Sequence, residues 1–126
     1  MMQAASLGRA TLMEPPFELS AEVVGSGPDL LLFQGGTGSH NHWIRNIDVL
    51  AKRFRVFAVD LPGFGDSPDV PSSVEPDGYV DLLHEAVARL PLSGEPLRLV
   101  GFSFGGAVAG AFAPGLGDRL HKLSLI

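Results

Sequence analysis

The sequence predicts an α/β fold, a mostly parallel sheet with helices on both faces. Three observations carry that expectation. Short apolar runs of strand-forming residues alternate with segments of helical periodicity along the whole chain. Two of the runs, Leu30-Leu31-Leu32-Phe33 and Arg55-Val56-Phe57-Ala58-Val59-Asp60, are almost wholly apolar, as strands buried on both faces must be. Turns rich in glycine follow the runs, at the places where such a sheet changes into loop or helix.

In chain order, residues 17–24 supply one or two short strands, closed by the turn Gly25-Ser26-Gly27-Pro28. Leu30-Leu31-Leu32-Phe33 is a buried strand that runs into the glycine-rich loop 35–39. Trp43, Ile47 and Leu50, spaced i, i+4, i+7, mark one face of a helix. The strand 55–60 comes next, then a loop over 61–76 rich in Pro and Gly and without periodicity. Val80, Leu83, Val87 and Leu90 lie on one face of a second helix that stops before Pro91. Leu97-Arg98-Leu99-Val100 is a strand feeding the turn 101–106, and residues 105–113 form a small-residue helix packed close to the sheet. A final strand occupies 120–126, from Leu120 to Ile126.

Composition narrows the function. A chain of 126 residues holds one domain with a real core, and 45% hydrophobic against 18% charged residues excludes disorder. A net charge of −5 excludes a nucleic-acid partner, because no basic stripe replaces the counterions of a phosphate backbone. The chain has no cysteine, which removes disulfides, thiolate metal sites and a Cys nucleophile together and is compatible with a cytoplasmic protein. Residues 1–16 lack the apolar core of a signal peptide and read as a flexible tail, leaving 17–126 as the domain. The uncharged stretch 99–117 has GxxxG spacing, but six glycines, Pro114 and Ser103 within it argue against a membrane span.

Three motifs carry chemistry. Gly101-Phe102-Ser103-Phe104-Gly105-Gly106 matches G-x-S-x-G between a strand and a helix. A sharp turn there strains the Ser backbone and exposes its Oγ, and the flanking glycines avoid collision with the neighbouring strand and helix. The Phe104 N–H at the start of the helix is then one oxyanion donor. Alternatively the turn is merely glycine-rich and Ser103 caps the helix.

The second motif, Gln34-Gly35-Gly36-Thr37-Gly38-Ser39, lets the backbone approach a substrate, with the Gly36 N–H as second donor. It also competes as a dinucleotide fingerprint, since Asp60 ends the next strand, but the third glycine position is Asn41. The third motif, Asp60-Leu61-Pro62-Gly63-Phe64-Gly65-Asp66-Ser67, turns tightly off a strand end, and Asp60 is expected to hydrogen-bond its own loop. Of the four histidines, His40 and His42 read as a solvated loop or helix start rather than a metal site. His84 lies beside an apolar helix face and His121 at a strand edge, and none is assigned as a base.

Taken in order, these motifs resemble the α/β-hydrolase fold family from about Phe17 to Ile126. The stretch from Gly35-Gly36-Thr37-Gly38-Ser39 through Trp43-Ile44-Arg45-Asn46-Ile47 looks most like bacterial cofactor-free hydrolases of esterase or C–C-bond hydrolase type. The resemblance implies an α/β-hydrolase sheet truncated after about the sixth strand. It implies Ser103 as nucleophile, Gly36 and Phe104 as oxyanion donors, a small-molecule acyl or carbonyl substrate, and neither cofactor nor metal. Most relatives have His-Gly where this chain has Gln34-Gly35, and they place the triad acid and His beyond residue 126.

Residues 1–126 alone are therefore expected to be inactive or nearly so. The strand 120–126 becomes an apolar edge, covered by a companion C-terminal segment or by self-association. The competing readings are a non-catalytic α/β module pairing with a partner through that edge, and a nucleotide-binding fragment.

Overall fold

The structure is a computed structural model describing residues 16–126. The expected flexible tail therefore lies, but for Pro16, outside the described residues. Five strands form one sheet: β1 (Ala21–Val24), β2 (Asp29–Phe33), β3 (Arg55–Val59), β4 (Leu97–Gly101) and β5 (Leu120–Leu125). Their spatial order is β1-β3-β2-β4-β5, with β1 antiparallel to β3 and every other pair parallel. Three helices accompany them: α1 (Ile47–Leu50), α2 (Tyr79–Val87) and α3 (Phe104–Phe112). The mostly parallel α/β architecture is the one expected from the alternation of runs. Among the described residues the strands number five, one fewer than the expected six, because residues 17–20 are not in a strand. Phe17 instead packs under α2, buried against Leu82 and Ala86.

Period-two alternation divides the apolar residues between two layers. Leu30, Leu32, Val56 and Ala58 face Trp43 and Ile47 on one side of the sheet. Leu31, Phe33, Phe57, Val59 and Leu99 face Leu83, Ala109 and Phe112 on the other. The opposite placement of α1 and α2 follows from connection handedness. The chain steps from β2 to β3 in one direction and from β3 back past β2 to β4 in the other, so right-handed crossovers put the two connections on opposite faces. The centre of the larger layer is aromatic: Phe33 meets Phe112 edge-on, with ring centroids 5.4 Å apart.

The first expected helix is shorter than its periodicity suggested. Residues His40–Trp43 form a 3₁₀ turn, and α1 begins only at Ile47. Trp43 and Ile47 are buried and Leu50 partly so, which accounts for the helical spacing. The first turn is bound elsewhere, however: the His40 N–H donates to Asp60, and Ser39 accepts from the Asn41 N–H. Tertiary hydrogen bonds have taken over from i→i−4 bonds.

At the amino ends of β2 and β3, Asp29 is buried and accepts from Arg55 Nε at 2.9 Å and from the Ser93 N–H at 2.7 Å. Burial works against its charge, but the bonds from Arg55 and Ser93 outweigh it and hold the carboxyl below its ordinary pKa. The ion pair pins the end of the sheet opposite the glycine-rich loops. β5 lies at the sheet's other edge, with Leu123, Leu125 and Ile126 exposed. Among the described residues, no helix is long and apolar enough to cross a membrane.

Candidate active site

Strand order reverses between β2 and β4, and the carboxyl ends of the strands beside such a reversal are where ligands bind in open parallel sheets. The loops of two motifs open there, Gly35-Gly36 after β2 and Phe102-Ser103 after β4, and the third follows β3 alongside.

Ser103 has φ 57° and ψ −117°, and it is the only non-glycine residue of positive φ among the described residues. An L side chain reaches that region only when the surroundings impose it. Here the surroundings are explicit. The Ser103 N–H donates to Ile126 O at 2.8 Å, and the Ser103 carbonyl accepts from the Gly106 N–H at 2.8 Å. Phe102 N–H is tied to Phe33 O at 3.1 Å. The turn closes this tightly because of two glycines. A Cβ on Gly105 would strike the carbonyl oxygens of Phe33 and Gln34, and one on Gly101 would strike the Gly105 carbonyl. Helix α3 consequently starts directly against β2 and β4, with the Ser103 side chain exposed at its tip. That side chain makes no capping hydrogen bond, so the helix-cap alternative is not what the residue does here.

Gly36 lies beside the start of α3. A Cβ on it would meet Phe104 Cβ at 3.2 Å, so the structure brings Gly36, Ser103 and Phe104 together. Neither the Gly36 nor the Phe104 N–H donates in the backbone hydrogen bonds of the described turns, loops and caps. The third motif supports this arrangement from the side. Phe64 packs on Phe104, with centroids 5.5 Å apart, and the Leu61 N–H donates to Gln34 Oε1 at 3.0 Å. Gln34 is fully buried, and its Nε2 has no partner among the described residues.

Asp60 is structural, as its position at a strand end suggested. It is fully buried and accepts from the His40 N–H at 2.6 Å, from His40 Nδ1–H at 2.9 Å and from the Asp66 N–H at 2.9 Å. Both carboxylate oxygens are engaged within the chain and the side chain is buried away from a ribose, and the glycine loop opens a 3₁₀ turn of four residues rather than a long helix. Both observations weigh against the dinucleotide reading.

Burial opposes the charge of Asp60, but the donors from Asp66 and His40 prevail and keep its pKa below the ordinary carboxylate value. A depressed pKa stabilises the fold above the unfolded-state value, and that contribution is lost as pH falls through the folded value. Asp60→Asn is accordingly expected to cost about 1–3 kcal/mol in urea unfolding near neutral pH. The gap to the natural protein should begin to narrow below about pH 4, where the unfolded chain's carboxylate takes up its proton, and keep narrowing as pH falls through the lower folded value. A gap that stays constant down to pH 3 would contradict this account.

The histidines depart from expectation in one respect. His40 and His42 do stand at a helix start, the 3₁₀ turn His40–Trp43, but they are not solvated: both are half-buried and engaged, His40 with Asp60 and His42 with the Gly35 N–H at 2.9 Å. The sequence held no sign of either bond, since one joins the exits of β2 and β3 and the other is closed only by the turn after β2. His84 stacks on Phe112 and lies within 3.0 Å of its carbonyl oxygen, and burial lowers its pKa. His121 is exposed on β5.

Comparison with known proteins bears on this geometry. A family described as alpha/beta hydrolase fold matches residues 28–126. The pimeloyl-[acyl-carrier protein] methyl ester esterase of Aeromonas hydrophila is 42% identical over 105 residues, which are 83% of this chain and 39% of that protein. Monoacylglycerol lipase ABHD6 of Homo sapiens is 31% identical over 103 residues, 81% of this chain and 31% of the lipase. Among solved structures, a thermophilic esterase from Thermogutta terrifontis superposes with a TM-score of 0.76 at 36% identity, covering 92% of this chain and 43% of the esterase. The chain thus spans less than half the length of each of these relatives.

Proposed function

This chain belongs to the alpha/beta hydrolase fold family, and from that premise we propose that it carries the nucleophile and oxyanion hole of a serine hydrolase acting on esters. The observation that carries the reading is the strained, exposed Ser103 at the head of α3, with Gly36 against Phe104 beside it. Two relatives named as an ester esterase and a monoacylglycerol lipase favour esters over C–C bonds. In the proposed reaction Ser103 Oγ attacks the carbonyl carbon of a small-molecule ester and gives its proton to a base. The tetrahedral oxyanion accepts from the Gly36 and Phe104 N–H groups, the alcohol leaves, and water releases the acyl group. Phe102 and Phe104, both exposed, together with Phe64 offer an apolar surface to the acyl chain.

In this reading residues 17–126 are the N-terminal portion of the hydrolase domain, and the triad acid and His come from sequence beyond residue 126. Among the described residues no histidine hydrogen-bonds the Ser103 side chain, the partners of His40, His42 and His84 being Asp60, Gly35 and Phe112, which supports a base from elsewhere. The free edge of β5 is where a companion segment, or failing that a second copy, adds on. The test is a fluorophosphonate probe followed by peptide mass spectrometry. The full-length protein should be labelled at Ser103, and residues 1–126 alone at least about 10³-fold more slowly. Equal rates, or a label elsewhere, would sink the proposal. A monodisperse 13.3 kDa monomer of residues 1–126 would count against the edge pairing.

A further inference from the structure

We propose that His42 is a positioning residue for the oxyanion hole, its neutral imidazole holding the loop that presents the Gly36 N–H. The inference rests on the reading of Gly36 and Phe104 as oxyanion donors and adds a residue to it. The Gly35 N–H donates to His42 Nδ1 at 2.9 Å, closing the loop 35–42 on itself. A backbone N–H can only donate, so Nδ1 is the lone-pair nitrogen and the ring proton sits on Nε2. The other bond that reaches Gly35 from within the loop, Gly38 N–H to Gly35 O, is longer at 3.3 Å. The peptide preceding the one that bears the Gly36 N–H is therefore anchored chiefly by an imidazole.

The ring also fills the floor of the loop. A Cβ on Gly38 would run into the His42 ring, and one on Gly35 would meet His42 Cε1 at 2.9 Å and the Phe102 ring at 3.0 Å. His42 stands edge-on to Phe102, with centroids 5.7 Å apart at 89°. Phe102 directly precedes Ser103. One side chain thus touches both segments that carry the proposed donors, the glycine loop through a hydrogen bond and the elbow through a ring contact. An oxyanion hole works only while its donors stay aimed at the developing charge, and small displacements cost rate rather than affinity.

Two substitutions separate the acceptor from the ring. His42→Phe keeps an aromatic ring on Phe102 and loses the acceptor. His42→Asn loses the ring, but its Oδ1 can accept where Nδ1 did. With p-nitrophenyl acetate and the full-length protein, H42F is expected to lower kcat about tenfold with KM within about twofold. H42N is expected to recover most of kcat. Ser103→Ala is measured alongside.

H42F at the natural rate while S103A is inactive would overturn the role of His42 and leave the hydrolase reading standing. H42N as impaired as H42F, with both folded, would do the same. S103A at the natural rate would overturn both. Histidine-ring ¹⁵N NMR of the unsubstituted protein decides the hydrogen bond even if H42F fails to fold. An unprotonated Nδ1 coupled to the Gly35 amide is expected, and a protonated Nδ1 would overturn the proposal.

Discussion

Ser103→Ala is expected to lower kcat of the full-length protein by about 10⁴- to 10⁶-fold with little change in KM, measured on a p-nitrophenyl ester. The size of the loss follows from what the residue supplies. Only a nucleophile forms a covalent acyl intermediate, whereas donors and pocket contribute binding that survives its removal. The backbone of Ser103 gives a second measurement that the rate alone does not. Alanine retains a Cβ at φ 57°, so S103A should match the natural protein in stability. Ser103→Gly should be equally inactive and yet more stable, by about 1 kcal/mol, because glycine occupies that conformation without strain. An S103A variant with more than a tenth of the natural rate would remove Ser103 from the chemistry. An S103G variant no more stable than S103A would mean that the elbow stores no strain.

Gly105→Ala is expected to destabilise the domain by about 3 kcal/mol or more in urea unfolding, a large share of what holds a small domain folded. Helix propensity points the other way, since Ala is better than Gly inside a helix by about 1 kcal/mol. Geometry decides the sign. The added Cβ would strike the carbonyl oxygens of Phe33 and Gln34, which are backbone atoms of β2 and its exit and cannot rotate aside. Helix α3 would have to lift from the sheet, and the Gly36–Phe104 contact would go with it. Gly110, on the same helix, is the control: nothing lies within 4 Å of a Cβ placed there. Gly110→Ala should be neutral or mildly stabilising. Equal effects at the two positions would show that the close approach of α3 to β2 does not limit stability.

Much of the fold was legible because a parallel strand leaves its mark in a short stretch of chain. Leu30-Leu31-Leu32-Phe33 can hardly be anything but a strand buried on both faces, and Val80, Leu83 and Val87 fall on one side of α2. The elbow was legible for a similar reason, since glycine is required where backbones approach and G-x-S-x-G places those requirements side by side. Legibility failed where the deciding contact came from afar. Trp43, Ile47 and Leu50 share a helical spacing, yet the segment splits because the His40 N–H is held by Asp60, twenty residues on. His40 and His42 read as a solvated loop or helix start; they do open a 3₁₀ turn, but each is also a tie, for which no local pattern exists.

The sequence by itself determined the class of sheet, the order of its elements and the sharp strand-to-helix turn at Ser103, because hydrophobic period, glycine placement and turn chemistry are local properties. The tertiary structure alone decided that Gly36 lies against Phe104, that Asp60 is spent on His40 and Asp66, and that His42 holds Gly35. Each of these joins the exits of different strands, or the two ends of a loop. Such pairings depend on strand order, and strand order is settled when the whole sheet packs around its two apolar layers.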